Sequence, residues 1–259
     1  MDLKLEGARV LITGASQGIG EGLAEVFAEA GAHLHLVARS GDRLKILASR
    51  LREVHDIEIK VQEIDIAAPD AIEAIADCAG DLDVLVNNAG AIPSGDLWRV
   101  DAEAWRRGWD VKVFGYIDLC RAIYPRMKAR GQGVILNNIG NGGENYDARY
   151  IAGSSGNAAL MAFTRALGGR SLDDGIRVVG INPGPVATDR IVKVMKTRAL
   201  ELYGDEARYS ELLAEYPLGR PAHIREVADL FAFLASPRSA YTTGVIFTVD
   251  GGITSRRSI

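Results

Sequence analysis

Cysteine is nearly absent: 259 residues contain two, Cys78 and Cys120, each within a helical-looking pattern. A disulfide framework or a thiolate metal site is not expected, and two reduced thiols suit a cytoplasmic protein. Histidine is scarce as well. The four histidines, His33, His35, His55 and His223, share no ligand spacing with acids or cysteines, so no metal site is expected. Neither sign of charge dominates: 30 basic against 34 acidic residues give a net charge of -4. The basic residues are dispersed, which argues against a nucleic-acid partner. No apolar run approaches the ~20 residues needed to span a membrane. The opening residues, Met1 to Gly7, are polar and lead into a strand pattern, unlike a signal peptide.

What is present is glycine, at 29 residues, on a background that is 47% hydrophobic and 25% charged. This is the composition of an ordinary globular domain, and the length suits one α/β domain with a continuous core. Short aliphatic runs alternate with segments of 3.6-residue period. Arg9–Thr13, His33–Ala38, Glu58–Glu63, Val84–Asn87, Gly133–Asn138, Arg177–Asn182 and Val245–Val249 read as strands. Most are apolar throughout, as expected when helices cover both faces of a parallel sheet. Gly18–Ala30, Arg43–Val54, Pro69–Ala79, Ala102–Ala129, Tyr150–Ser171 and Ile224–Ala235 read as helices. The alternation predicts one doubly wound Rossmann-type α/β domain over residues 1–259, with a seven-stranded parallel sheet. Residues 190–218, rich in charge and tyrosine, are inserted before the last strand, and read either as a substrate lid or as a pair of surface helices.

After the first strand comes Thr13-Gly14-Ala15-Ser16-Gln17-Gly18-Ile19-Gly20, which opens the first helix. Glycines there let the backbone approach a pyrophosphate, and the helix N-terminus offers it free N–H groups. Asn87-Asn88-Ala89-Gly90 follows the fourth strand, and Pro183-Gly184-Pro185-Val186-Ala187-Thr188 the sixth. In this order and context the motifs resemble the TGxxxGxG, NNAG and PGxxxT segments of the short-chain dehydrogenase/reductase family. The ending, from Gly219-Arg220-Pro221 to Val249-Asp250-Gly251-Gly252, is similar too. The likeness covers nearly the whole chain.

That resemblance implies an oxidoreductase binding NAD or NADP and a small-molecule substrate, assembled as a homodimer or homotetramer. It implies that Gly14, Ser16, Gln17, Gly18, Ile19 and Gly20 hold the pyrophosphate and that Asp65 and Ile66 border adenine. Asn88, Ala89 and Gly90 would run beneath the ribose, and Pro183, Gly184, Val186 and Thr188 would hold the carboxamide. Cofactor choice turns on the end of the second strand, where an acid would bond the ribose hydroxyls. Here Ala38 takes that place, followed by Arg39 and Ser40, a guanidinium and a hydroxyl suited to a 2′-phosphate. NADP is expected; Arg39 stacked on adenine would leave NAD possible.

The family's catalytic set is a serine, a Tyr-x-x-x-Lys pair and a helix asparagine. In this sequence Gly153 falls at the tyrosine position, Asn157 at the lysine position, Gly140-Asn141 at the serine, and Lys112 at the asparagine. Tyr150 precedes Asn157 by seven residues, similar to the wider spacing of the family's enoyl-reductase branch. Lys and Asn are thus exchanged between two helices. A free phenol, with a pKa near ~10, needs a nearby cation to work at neutral pH. One charge at ~5 Å with an effective dielectric of ~20 contributes about 3 kcal/mol, or roughly two pKa units. Tyr150, Lys112, Asn141 and Asn157 are therefore the candidate catalytic residues, with Asn141 as an oxygen-stabilising amide. The plainer alternative has Lys112 paired with a carboxylate, Tyr150 packed at a helix start and Asn141 in a turn. Glu144 and Tyr146 share the same loop and would touch substrate instead. The functions left open are an oxidoreductase with an atypical proton donor acting on a carbonyl, alcohol or activated alkene, an inactive cofactor-binding subunit or sensor, and a non-redox enzyme.

Overall fold

The computed structural model describes residues 2–90 and 92–258. In chain order, β1 (Arg9–Thr13) leads through a glycine turn to α1 (Gly18–Glu29), followed by β2 (His33–Ala38), α2 (Gly41–Val54), β3 (Ile59–Glu63), α3 (Ala71–Ala79) and β4 (Val84–Asn87). The second half runs α4 (Ala102–Trp109), α5 (Gly115–Arg130), β5 (Gly133–Asn138), α6 (Ile151–Gly168) and β6 (Ile176–Pro183). It ends with α7 (Asp189–Tyr203), α8 (Tyr209–Ala214), α9 (Ile224–Ala235) and β7 (Ile246–Val249). The seven strands form one sheet in the order β3-β2-β1-β4-β5-β6-β7, every pair parallel. This is the doubly wound fold expected from the alternation of aliphatic runs and helices.

Both faces of the sheet are covered, which is why the central strands are apolar without alternation. All of β4 and β6 is buried. On one side Leu23, Phe27, Leu36, Leu44 and Phe231 pack from α1, β2, α2 and α9; on the other Leu11, Ile75, Leu119, Ile123 and Ile135 pack from β1, α3, α5 and β5. Among the described residues no helix is long and apolar enough to cross a membrane.

Apart from shifts of a few residues at the ends of other helices, such as α3 starting at Ala71 instead of Pro69, two features differ from the sequence reading. The helix expected over Ala102–Ala129 is interrupted by a π-helical turn at Asp110–Phe114, which contains Lys112. One extra residue in a turn shifts side-chain phase by about 100°, too small a change for a periodicity to reveal. Helix α2 begins two residues earlier than expected, at Gly41. A Cβ at Gly41 would collide with the Glu63 carboxylate, so the missing side chain lets α2 start against β3. The 190–218 insertion, for which a lid and a pair of surface helices are the two readings, is helical: α7 and α8 fold on each other around Met195, Ala199 and Leu212.

Candidate active site

The strand order reverses between β1 and β4, and that reversal opens a crevice at their carboxyl ends. Thr13, at the end of β1, ties its floor together. Its Oγ1 accepts from the backbone N–H of Asn88 (2.9 Å) and of Ala89 (3.0 Å). Asn88 Nδ2 donates back to the carbonyls of Thr13 (2.9 Å) and Gly14 (3.2 Å), and its Oδ1 accepts from Asn138 Nδ2 at 2.7 Å. One side-chain relay therefore links β1, β4 and β5. The backbones meet so closely that side chains are excluded. A Cβ on Gly14, whose φ is +67°, would lie 2.8 Å from Ala89 Cα, and one on Gly20 would strike the Gly14 carbonyl. Gly18 (φ +59°) faces Thr188, with its missing Cβ 3.3 Å from Thr188 Cγ2.

No side chain caps α1, so the N–H groups of its first turn stay open to an anion. Ser16 and Gln17 line this turn, and Ile19 packs inward on the core. Gly184 donates to Val249 at 2.9 Å, Pro183 pairs with Val249, and Val186 bridges Ala222. Thr188 donates its N–H to Val186 at 2.8 Å. At the other end of the crevice, Arg39 Nη1 lies 4.0 Å from Asp65, whose other oxygen accepts from Ala67 N–H, while Ile66 is buried. Arg43, which the sequence reading missed, donates to Gln17 Oε1. Its only signal was a second cation one helical turn after Arg39. A glycine cradle that tolerates no Cβ, an uncapped helix start and two guanidiniums at one rim fit a phosphorylated dinucleotide.

Around the far end stand the four candidate catalytic side chains. A Cβ on Gly153 would fall inside the Tyr150 ring, and one on Gly142 would lie 3.4 Å from the ring's edge. The phenol ring thus fills the space into which a residue at 153 would project. Tyr150 flanks the start of α6, and its backbone bridges Gly95. Lys112 reaches from the π turn past Gly90 and donates to the Ile139 carbonyl, not to a carboxylate. The protein crowds densely around its ammonium without sealing it from solvent. Desolvation, with the charge of Arg190 second, pulls its pKa down to about 7.

Asn157 is 2% exposed, faces Gly140 and Gly142, and keeps an Oδ1 without a partner in the protein. Asn141 Nδ2 is donated to Asp250 at 3.2 Å. Burial of Asp250 is outweighed by hydrogen bonds from Thr254, Asn141 and Gly252, so its carboxyl titrates below the usual range. Glu144 is held by Thr248 (3.1 Å), Asn182 (3.4 Å) and Arg165 (3.7 Å).

Two more residues join this group unforeseen. Tyr116, one turn beyond Lys112, is fully buried and donates to Asn138 O at 2.9 Å; burial and then the neighbouring Tyr150 push its pKa far up. Arg190, at the start of α7, donates to Ile92 O at 3.2 Å. Its position two residues after Thr188 was the available signal. Among the described residues no group of three acids, histidines or cysteines is arranged to hold a metal.

The chain is similar to known proteins along its length. A family described as Enoyl-(Acyl carrier protein) reductase matches residues 14–254. The chain is 32% identical to the 2-keto-3-deoxy-L-fuconate dehydrogenase of Xanthomonas campestris pv. campestris, over 96% of this chain and 81% of that protein. It is 33% identical to a galactitol 2-dehydrogenase (L-tagatose-forming) of Cereibacter sphaeroides, over 97% and 96%. The crystal structure of L-sorbose reductase from Gluconobacter frateurii, complexed with NADPH and L-sorbose, superposes with a TM-score of 0.92 at 34% identity, covering 100% of both chains. With its motifs in register along one continuous fold, the chain belongs to the short-chain dehydrogenase/reductase family.

Proposed function

We propose that this protein is an NADP(H)-dependent oxidoreductase that interconverts a small carbonyl compound and its alcohol through an atypical proton-donor site. The observation that carries the reading is the Tyr150 ring lying where a side chain at 153 would project: the phenol is retained, supplied from one helical turn earlier. Gly14, Ser16, Gln17, Gly18, Ile19 and Gly20 would hold the pyrophosphate, Asn88, Ala89 and Gly90 the ribose, and Pro183, Gly184, Val186 and Thr188 the carboxamide. Asp65 and Ile66 would border adenine, with Arg39, Ser40 and the added Arg43 on a 2′-phosphate. The NADPH held by L-sorbose reductase, a relative over its whole length, supports the cofactor. Bound there, a nicotinamide supplies or removes a hydride.

The chain's own residues manage the proton and the oxygen. Tyr150 Oη bonds the substrate oxygen and exchanges its proton, while Lys112 Nζ contributes positive charge and, with a pKa of about 7, can itself give or take a proton near neutrality. Asn157 would present an amide to the same space. The α7–α8 hairpin would act as the substrate lid. A homodimer or homotetramer in the cytoplasm belongs to the same reading, supported by apolar surface at Phe114, Trp98 and Phe247.

The test is NADPH oxidation over a carbonyl panel that includes L-sorbose. Lys112→Ala and Tyr150→Phe are each expected to lose about a hundredfold in turnover, the size of a lost proton-transfer group. Unchanged turnover in both would overturn the assignment. One observation favours a second reading, a cofactor-loaded subunit without turnover: the Asn141 amide is engaged with Asp250 rather than offered to a substrate. NADPH binding with no absorbance change across the panel would favour it.

A further inference from the structure

Two cationic side chains and one backbone bridge, from three different elements, meet at Gly90, Ile92 and Gly95. Lys112, from the π turn, lays its stem against Gly90. Arg190, from α7, bonds Ile92 O. Tyr150, ahead of α6, bridges Gly95, whose N–H donates to Arg149 O at 2.7 Å. The Tyr150 ring itself lies beside Gly142, three residues after the Ile139 carbonyl that Lys112 bonds, which assigns the reacting oxygen to the same end of the crevice as the two cations.

Neither cation makes an ion pair among the described residues; each has a backbone carbonyl as its hydrogen-bond partner. The acids of the surrounding loops are committed elsewhere. Glu144 pairs with Arg165, Glu201 with Arg99, Asp250 accepts from Asn141 and Thr254, and Asp147 from Arg149 N–H. Asp110 and Asp189 stand on the same elements as the two cations but pair with neither. The Arg190 charge is felt at Lys112, where it adds to the cost of burial. Two like charges facing one crevice without a counter-ion raise the energy of the ligand-free protein, and an anion placed between them relieves it.

We infer that the substrate carries a carboxylate beside its reacting carbon, received by Arg190 at the mouth of the crevice and Lys112 at its floor. The substrate class is then a hydroxy acid and its keto acid, not a neutral polyol and ketose. A guanidinium fork matches a carboxylate in two-point geometry, which would fix the orientation of the carbon presented to Tyr150. The inference rests on the proposed oxidoreductase reading for the reacting group, but not for the anion itself.

The experiment compares lactate, 2-hydroxybutyrate and gluconate with the neutral alcohols 2-butanol, galactitol and sorbitol. It measures NADP+ reduction and, separately, calorimetric binding to the NADP+-loaded protein. An acid is expected to be the better substrate, and Arg190→Gln is expected to raise its KM about tenfold or more, the loss of one charge-assisted contact. Arg190→Lys should recover part of that loss. Preference for the neutral alcohols would overturn the inference while leaving the oxidoreductase reading standing. So would an Arg190→Gln variant whose defect lies in the KM for NADP+, since that would assign the guanidinium to the cofactor. An acid that binds without turnover, and no longer binds to Arg190→Gln, would support the anion site and count against the oxidoreductase. Failure of all three acids to bind would overturn the inference.

Discussion

At the scale of single residues, the crevice is marked by what its glycines leave out and by where its guanidiniums reach. Gly14, Gly20 and Gly153 each surrender a Cβ so that another group can stand in its place: the Ala89 backbone, the Gly14 carbonyl and the Tyr150 ring. Arg39 and Arg43 sit at the opposite rim, with Ala38 buried before them. Replacing both by Gln is expected to raise the KM for NADPH by about tenfold or more, as a charge-assisted pair is lost. The KM for NADH should change little. Equal losses with the two cofactors would show that the guanidiniums do not read the 2′-phosphate. Thr13, Asn88 and the glycines were legible in the sequence because their spacing is fixed by backbone geometry. Arg43, Arg190 and Tyr116 were not, since their relevance depends on where long side chains point after folding.

Among the elements, α9 shows how a buried cation can be satisfied without an acid. Arg177, 6% exposed at the start of β6, donates to the carbonyls of Leu234 (2.6 Å), Ala235 (3.0 Å) and Ser236 (3.1 Å), and to Ser239 Oγ at 2.9 Å. These are the oxygens left over where α9 ends, and the guanidinium also meets the negative end of the helix dipole. Burial lowers its pKa to about 10, so it remains charged at neutral pH. Arg177→Met would remove all four of these bonds and leave Ser239 to serve the Leu234 and Ser236 carbonyls, and a loss of about 3 kcal/mol is expected in urea unfolding. Because α9 packs on α1, where Ile224 fills the space beside Gly22, cofactor affinity should fall as well. Element types were readable from apolar runs and periodicity. The π turn at Lys112 was not, because a single inserted residue leaves both flanking helical patterns intact.

For the whole molecule, stability should follow acidity through His35. It is 6% exposed on β2, and Gln62 of the neighbouring β3 offsets only part of the cost of burying its ring. Burial, with the charge of Lys60 second, holds its pKa down at about 4, against an ordinary value of 6.5. The unfolded chain therefore takes up a proton that the folded chain refuses. Stability is full above pH 6.5 and declines as pH falls toward 4. Between pH 7.5 and 4.5 the protein should lose roughly 2–3 kcal/mol more than His35→Leu does. Parallel pH profiles for the two would refute this.

The Thr13–Asn88–Asn138 relay has a consequence at this scale. It joins residues from β1, β4 and β5 that are 75 and 50 positions apart. No contiguous stretch of chain holds half of the crevice, so no partly folded form or proteolytic fragment should retain a weakened version of it. Occupancy becomes an all-or-none report on the intact sheet, and a ligand bound there would protect distant loops from proteases as well as those it touches.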